Sequence, residues 1–459
     1  MRPGQEIKLQ ITDINRYGDG IGRAEDGMVV FVPGAVTGER VTARIGELRK
    51  RYARGTLLEI VIPSEHRVAT VCGLAERCGG CNLQHIAYGE QLRWKTALVR
   101  QNMARIGGVD EGVVRDIIGM PDPWHYRNNV RFKVQRQAGK VTLGFFAAES
   151  HRLVAGIDGG LATPCLLAHR ELSRVAEAVQ ALLEESPAGA ALPEEVMLRR
   201  GSTGEIMVVL MGKLGSAAGT GVQNTDVLAG LSGEISAIPG VVTVVGYTRT
   251  GGKKTGGRYQ TLAGRGYIED ELDGLHFRIS AASFYQVNPS QTAVLYKQVL
   301  NYCDLRGHEE VADAYCGVGA IALYVARYAK AVQGYEVVPG AVRDAEDNAV
   351  LNGIKNTRFF AGAVERVLTE HVNKGYRPEV VVLDPPRSGC RPEVLDALAQ
   401  SGAGRVVYVS CDPATLARDV GYLHRLGYRL QEVQPVDMFP QTGHVECVVL
   451  MTYCGLKGK

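Results

Sequence analysis

Three groups of residues in this chain have the types and spacing to do chemistry. Cys411 follows the apolar run 406–410 and precedes Pro413 and a helix-like stretch. A thiol at a helix N-terminus can have its pKa drawn from ~8.5 toward neutrality, which would make it a nucleophile. A cysteine at a strand end is also a common small core residue. Glu446, in His444-Val445-Glu446, opens the final strand-like run near the same sheet edge. The second group is the turn Asp313-Ala314-Tyr315-Cys316-Gly317-Val318-Gly319, with Glu336 standing 23 residues past Asp313. Its glycines allow a sharp turn and close approach to a ligand, and a carboxylate after the next strand can accept both hydroxyls of a ribose. The third glycine of a dinucleotide fingerprint is missing, which disfavours that ligand. The third group is Cys72, Cys78 and Cys81, separated by five and two residues, with Cys165 far downstream. Four thiolates suit either zinc or an iron–sulfur cluster, and spacing does not choose between them.

These residues need elements to hold them. From Asn288 onward, strand and helix patterns alternate, with strands expected at 310–314, 331–335, 358–361, 380–383 and 406–410. Helix-length segments separate them, as a doubly wound parallel sheet requires. Two further strands, 428–434 and 445–453, are joined without a helix and should pair antiparallel. Asn288 is placed to cap a helix whose first residue is Pro289. At the other end, residues 5–62 alternate apolar and polar positions between glycines, the pattern of a small β-barrel. A helix is expected over 88–106, stopped by Gly107-Gly108. Residues 124–280 read as mostly antiparallel strands with one helix near 166–185. The domains are therefore expected at 1–62, 63–280 and 281–459.

Bulk composition limits the class. A chain of 459 residues exceeds one ordinary core. No run reaches the eighteen apolar residues of a membrane span, and the N-terminus does not resemble a signal peptide. The ten cysteines are not spaced like a secreted scaffold, so a reducing cytoplasm is expected. A net charge of +3 is only weakly basic, so any nucleic acid must be held by local patches. Two are candidates: Arg40, Arg44, Arg49, Lys50, Arg51 and Arg54, and the loop 246–266 with Arg249, Lys253, Lys254, Arg258 and Arg265 interleaved with Tyr247 and Tyr259. Such a loop could grip phosphates and stack a base, or it could be a solvated hairpin.

Five segments in order carry a resemblance. Phe284-Tyr285-Gln286-Val287-Asn288, the Asp313–Gly319 turn, Asp384-Pro385-Pro386-Arg387, the run from Ser410-Cys411-Asp412-Pro413 to Asp419, and His444-Val445-Glu446 resemble the successive motifs of the RNA 5-methyluridine methyltransferase family. Within it, the chain looks most like the 23S ribosomal RNA enzymes. The run Gly18-Asp19-Gly20-Ile21-Gly22 followed by Val30-Phe31-Val32-Pro33-Gly34 resembles the TRAM domain, an OB-like RNA-binding module. The fold implied is α/β plus all-β: a TRAM barrel, a central mostly antiparallel domain with a four-cysteine cluster, and a Rossmann-like class I methyltransferase domain.

The resemblance also implies roles. Gln286, Tyr315, Glu336 and Asp384 would line the pocket for S-adenosylmethionine and the target base. Cys411 would add to C6 of uracil, and Glu446 would remove the C5 proton after methylation. Arg387, where amine methyltransferases carry an aromatic residue, argues against amine methylation. Arg77 to His85 resembles the [4Fe–4S] segment of a subset of the family, with Cys72, Cys78, Cys81 and Cys165 as ligands. Relatives often carry a basic third residue at Arg127-Asn128-Asn129, where this chain has Asn129. The expected substrate is ribosomal RNA, with transfer RNA or a silent RNA-binding role as alternatives, and the protein is expected to be a monomer off the membrane.

Overall fold

The computed structural model describes residues 1–137, 140–148, 150–154, 165–186, 192–212, 224–249 and 257–455. Five strands, β1 (Glu6–Ile14), β2 (Asp19–Arg23), β3 (Val29–Pro33), β4 (Arg40–Leu48) and β5 (Tyr52–Ile62), close into a barrel in the order β1-β2-β3-β5-β4. Alternate residues point inward, so Leu9, Ile11, Val30, Val32, Val41, Ala43 and Ile45 form its core. Past the cysteine segment comes α1 (Tyr88–Asn102), which runs on through a π-helical turn to Gly108 in the left-handed region, φ 62°. That is the glycine stop that the sequence pattern calls for.

The central sheet holds β6 (Asn129–Gln137), β7 (Lys140–Phe146) and β8 (Leu153–Val154), then, after α2 (Arg170–Glu185), β9 (Glu195–Arg200) and β10 (Ile206–Gly212). A second helix, α3 (Asn224–Ser236), leads to β11 (Val241–Arg249) and β12 (Gly257–Gly264). The order is β12-β11-β10-β9-β6-β7-β8, antiparallel except between β10 and β11. That parallel pair explains α3, which the sequence pattern does not announce: parallel neighbours need a crossover. Its glycines, Gly230 and Gly233, mask the helical signal. The hairpin β13 (Tyr267–Leu272) and β14 (Leu275–Ser280) turns on Asp273-Gly274, both at positive φ, the pair that a tight two-residue turn requires.

The rest alternates: α4 (Pro289–Cys303), β15 (Glu310–Ala314), α5 (Ala320–Ala326), β16 (Ala331–Glu336), α6 (Pro339–Leu351), β17 (Thr357–Ala361), α7 (Val364–Asn373), β18 (Val380–Leu383), α8 (Pro392–Ser401), β19 (Arg405–Ser410), α9 (Pro413–Arg425), β20 (Tyr428–Val436) and β21 (Glu446–Tyr453). The sheet order is β17-β16-β15-β18-β19-β21-β20. The first five strands are parallel and β21 is antiparallel to both neighbours. Strands such as β18 are apolar throughout because helices cover both faces. The order reverses between β15 and β18, which places a ligand crevice at their carboxyl ends.

Two stretches ahead of this sheet bury their apolar side chains in it. Val99, Met103 and Val114 join the cluster beneath α9, and Ile268, Leu272, Phe277 and Ile279 join the one around Tyr285 and Leu295. Among the described residues, no helix is long and apolar enough to cross a membrane.

Candidate active site

At the crevice, Gln286, Tyr315 and Asp384 line one small cavity together with Asp313, Tyr296 and Gly317. The turn after β15 is tight: Tyr315 takes φ 71°, unfavourable for a side-chain-bearing residue, and is held there by Tyr315 and Cys316 amides donating to the Tyr335 carbonyl at 2.9 and 3.0 Å. Glu336, at the end of β16, lies beside this cavity rather than in its lining. Its carboxylate accepts from the amides of Gly317 at 3.2 Å and Val338 at 2.8 Å. Burial raises the Asp384 carboxyl to about 7. Asp313 is fully buried and neither of its carboxylate oxygens makes a hydrogen bond of normal geometry, the Ala322 amide alone lying close enough to act on it. Burial first, then the nearby Asp384, push its pKa well above the ordinary range. Asp313 stands in the turn read from sequence but was not singled out there, because nothing in the spacing says that a strand-end carboxylate is left unpaired.

Gln286 sits on the segment leading to α4, and the central sheet fixes that segment. Arg199 donates to the Ser280 and Ser283 carbonyls at 3.0 and 2.8 Å, and Asn128 to the Gln286 carbonyl at 3.1 Å. Asn128 thus has a structural task, while Arg127 and Asn129 line a larger cavity. Asn288 caps α4, as its position ahead of Pro289 suggests, its side-chain oxygen accepting from Gln291 at 3.3 Å.

Cys411 and Glu446 meet at the next strand ends. β19 and β21 are paired with Ser410 opposite Cys447, so one further step of the antiparallel register sets Cys411 against Glu446. The thiol is not activated as the sequence suggests. Asp412 caps α9, accepting from the Ala414 and Thr415 amides at 3.0 and 3.1 Å, so the positive helix end is spent on that carboxylate. Burial pushes the Cys411 thiol up to about 11, Glu446 and Asp384 push the same way, and Arg387 opposes them. Glu446 is buried, and burial and Asp384 hold its carboxyl well above its usual range, again against Arg387.

The loop between β20 and β21 aims Glu446, and distant segments hold it. Asp437 and Lys95 form a fully buried ion pair at 2.6 Å, and the Tyr88 hydroxyl donates to the same carboxylate at 2.9 Å. Lys95 also donates to the Phe439 carbonyl at 3.1 Å, Asn288 to that of Met438 at 3.1 Å and Tyr126 to that of Pro440 at 3.0 Å. Gln441 has φ 67°, and its side chain and amide are both bound by Gln91, at 2.9 and 3.1 Å. Asn82 accepts from the Gly443 amide at 2.9 Å. Apart from Asn288, read as a helix cap, none of these residues was given a part in the site from sequence. The one available signal is a polar stripe, Tyr88, Gln91 and Lys95, on a single face of α1.

Cys411, Arg387 and His444 open onto a cavity of about 2130 Å³. Arg16, Arg54, Arg67, Arg127, Arg131 and Arg387 line it against the carboxylates Asp19, Glu76 and Asp412. Its field shows on His444, whose pKa falls to about 4 through burial and then through Arg387, Lys95, Arg127 and Arg16. Cys72, Cys78, Cys81 and Cys165 line the same cavity. Among the described residues, no set of three or more His, Cys, Asp or Glu stands arranged to hold a metal ion. The thiols nevertheless suit a thiolate cluster chemically. The Gly80 amide points at Cys78 Sγ at 3.4 Å, and the Leu167 and Ala168 amides act on Cys165. Burial raises the Cys81 thiol to about 12, with Cys165 and Cys78 adding to it.

The two basic patches read from sequence are partly spent on ion pairs, Arg44 with Glu6 and Arg49 with Glu47 in the first and Arg249 with Glu194 and Arg265 with Glu205 in the second. Tyr247 and Tyr259 pack as a cross-strand pair with centroids 4.7 Å apart. Lys253 and Lys254 lie outside the described residues.

A mostly parallel sheet with a ligand crevice at its strand ends, joined to a small barrel and an arginine-lined cavity, fits an enzyme that binds a nucleotide-like cofactor and a polyanion. Comparison with known proteins makes this specific. Residues 258–454 match the tRNA (Uracil-5-)-methyltransferase family, and residues 2–58 match the TRAM domain. An uncharacterized RNA methyltransferase of Clostridium acetobutylicum is 39% identical over 465 residues, covering 98% of each chain. Another, from Gloeobacter violaceus, is 39% identical over 459 residues, covering 98% of this chain and 96% of its own. The crystal structure of the Pyrococcus abyssi tRNA (uracil-54, C5)-methyltransferase in complex with S-adenosyl-L-homocysteine aligns with a TM-score of 0.72 at 25% identity, over 97% of this chain and 100% of that one. The chain belongs to the RNA uracil-5-methyltransferase family and carries an N-terminal TRAM domain.

Proposed function

We propose that the protein methylates C5 of a uridine in structured RNA through a covalent adduct on Cys411. The observation that carries this is the register that sets Cys411 against Glu446 beside the crevice of Asp384 and Tyr315. S-adenosylmethionine, when bound, supplies an electrophilic methyl group. Tyr315, Gln286, Glu336 and Asp384 would hold it, and Asp313 would offer a buried carboxyl group to one of its polar atoms. Cys411 and Glu446 release their protons to solvent through the open cavity as RNA binds, and the Cys411 thiolate adds to C6 of uracil, shifting the ring electrons toward C5, which then takes the methyl. Glu446 accepts the C5 proton; the C5–C6 double bond re-forms and Cys411 leaves. Because Cys411 and Glu446 are both protonated more readily than usual, the resting site avoids facing a thiolate with two carboxylates.

Ribosomal RNA is the first substrate reading, supported by the combination of a TRAM barrel with four cysteines. Transfer RNA is the second, favoured by the family match and by the likeness to the Pyrococcus tRNA (uracil-54, C5)-methyltransferase. Cys72, Cys78, Cys81 and Cys165 would hold a [4Fe–4S] cluster that shapes the RNA cavity without entering the reaction. The divisions after residues 62 and 280 are kept as the domain reading, for a monomer working in the cytoplasm. Mapping 5-methyluridine in ribosomal and transfer RNA from cells with and without the protein identifies the substrate. On that RNA, Cys411→Ala should abolish methylation and Glu446→Gln should accumulate a gel-stable protein–RNA adduct. Full turnover by Cys411→Ala would sink the mechanism. Anaerobically purified protein should be brown, and a colourless sample with stoichiometric zinc overturns the cluster.

A further inference from the structure

The turn between β1 and β2 is built into the active-site wall. Asn15 ties it into a fixed shape, its side-chain oxygen accepting from the amides of Tyr17 at 2.8 Å and Asp19 at 3.0 Å. Asn82 then clamps it to the catalytic loop: its side chain donates to the Tyr17 carbonyl at 2.5 Å while accepting from Gly443. The fit is close on both sides. A Cβ on Gly443 would stand 2.3 Å from the Arg16 carbonyl oxygen, and one on Gly18 would stand 2.5 Å from that of Asn82. Arg16 reaches across to Asp412 at 3.8 Å, next to the nucleophile, and its guanidinium lies 5.1 Å from the centre of the Tyr17 ring. Yet this firmly held tyrosine is 62% exposed, and it lines the same cavity as Cys411 and His444.

An aromatic ring fixed by its backbone but left open to a cationic cavity is what a nucleobase stacks on, since every base has a π-face and stacking tolerates sequence. We infer that Tyr17 is a stacking subsite for an RNA nucleotide flanking the target uridine, with Arg16, whose guanidinium lies over the ring, as the positioning residue that steadies it. The barrel then contributes to the seating of the target rather than only tethering RNA at a distance. This rests on the uridine-methylation reading above, but its test is separable from it.

The probe is an RNA stem-loop chosen by its binding to the wild-type protein, whether or not it is methylated, carrying 2-aminopurine, or an abasic nucleotide, on either side of its loop uridine. Binding is followed by 2-aminopurine quenching without S-adenosylmethionine, so it is read even if no methyl is transferred. Tyr17→Ala should raise KM and Kd about tenfold with kcat nearly unchanged, and Tyr17→Phe should restore both. Arg16→Ala should reduce quenching at the same flank, with S-adenosylhomocysteine affinity unchanged as the check on folding. An abasic nucleotide at that flank should cost the wild type the same factor and cost Tyr17→Ala nothing further. Losses that multiply at both flanks, or a Tyr17→Ala protein with wild-type Kd and quenching, overturn the subsite. Wild-type protein that binds and quenches but transfers no methyl to C5 instead overturns the methylation reading.

Discussion

The two walls of the active site are built differently. The wall that faces the methyl donor is assembled mostly within one sheet: Tyr315 and Asp384 each follow a parallel strand directly, Glu336 ends one, and contacts such as Gly317 to Glu336 stay within the β15–β16–β18 crevice, with Gln286 brought in from the segment before α4. The wall that faces RNA is assembled from the whole chain. Cys411 belongs to the sheet, but Glu446 is aimed by a loop that residues some 350 positions upstream hold, including Gln91 on Gln441. Donor binding is thus a property of the sheet, whereas uridine chemistry needs the barrel, the cysteine segment and α1 docked together. The two should be separable by mutation.

Breaking the Lys95–Asp437 pair is the strongest test. Lys95→Met leaves a buried carboxylate without its partner, which should cost about 3–5 kcal/mol of stability in urea unfolding. In the protein that remains folded, methyl transfer should fall at least tenfold while S-adenosylhomocysteine binding, followed by calorimetry, stays near wild type. The double variant Lys95→Met, Asp437→Leu should recover most of the stability. Equal losses of donor binding and transfer would show that the walls are one unit.

The same contrast explains what the sequence disclosed. The seven strands of the C-terminal sheet and the cap at Asn288 were legible because each is set by local pattern and a few turn residues. Glycine-bearing α3 was not, since its helix is imposed by the parallel pairing of β10 with β11. At the site, contiguous segments such as 313–319 and 410–419 pointed to the strand ends where the structure places them. The Gln91–Gln441 and Asn82–Gly443 contacts left no such trace, because each pairs single polar residues hundreds of positions apart. The expected low thiol pKa is opposed first by burial and then by Glu446, neither of which local sequence announces, while Asp412 takes the helix end that would have lowered it.

Asp313 tests the donor wall alone. A buried carboxyl group with no hydrogen bond of normal geometry is unfavourable to the fold and useful only to a ligand. Asp313→Asn should therefore weaken S-adenosylmethionine binding by about ten- to a hundredfold, the range for hydrogen bonds to a charged group. The melting temperature should stay level or rise, since a buried acid that is costly to ionise gives way to a neutral amide. A large loss of stability with unchanged affinity would instead make Asp313 part of the scaffold.

The smallest effect concerns the RNA wall before RNA arrives. With the Cys411 thiol raised to about 11, the thiolate fraction is small at neutral pH and grows as pH rises. Glu446, also raised, becomes a competent base in the same direction. Both kcat/KM and the alkylation of Cys411 by iodoacetamide, read by peptide mass, should climb from pH 7 to 10, the alkylation about tenfold per pH unit. Arg387 is the cation that opposes both shifts, so Arg387→Ala should move the alkylation profile to still higher pH, by about one unit, without changing its slope. A profile that levels off near pH 7 in the free protein would mean that the thiol is already activated, and the RNA wall would then be as ready without its substrate as the donor wall.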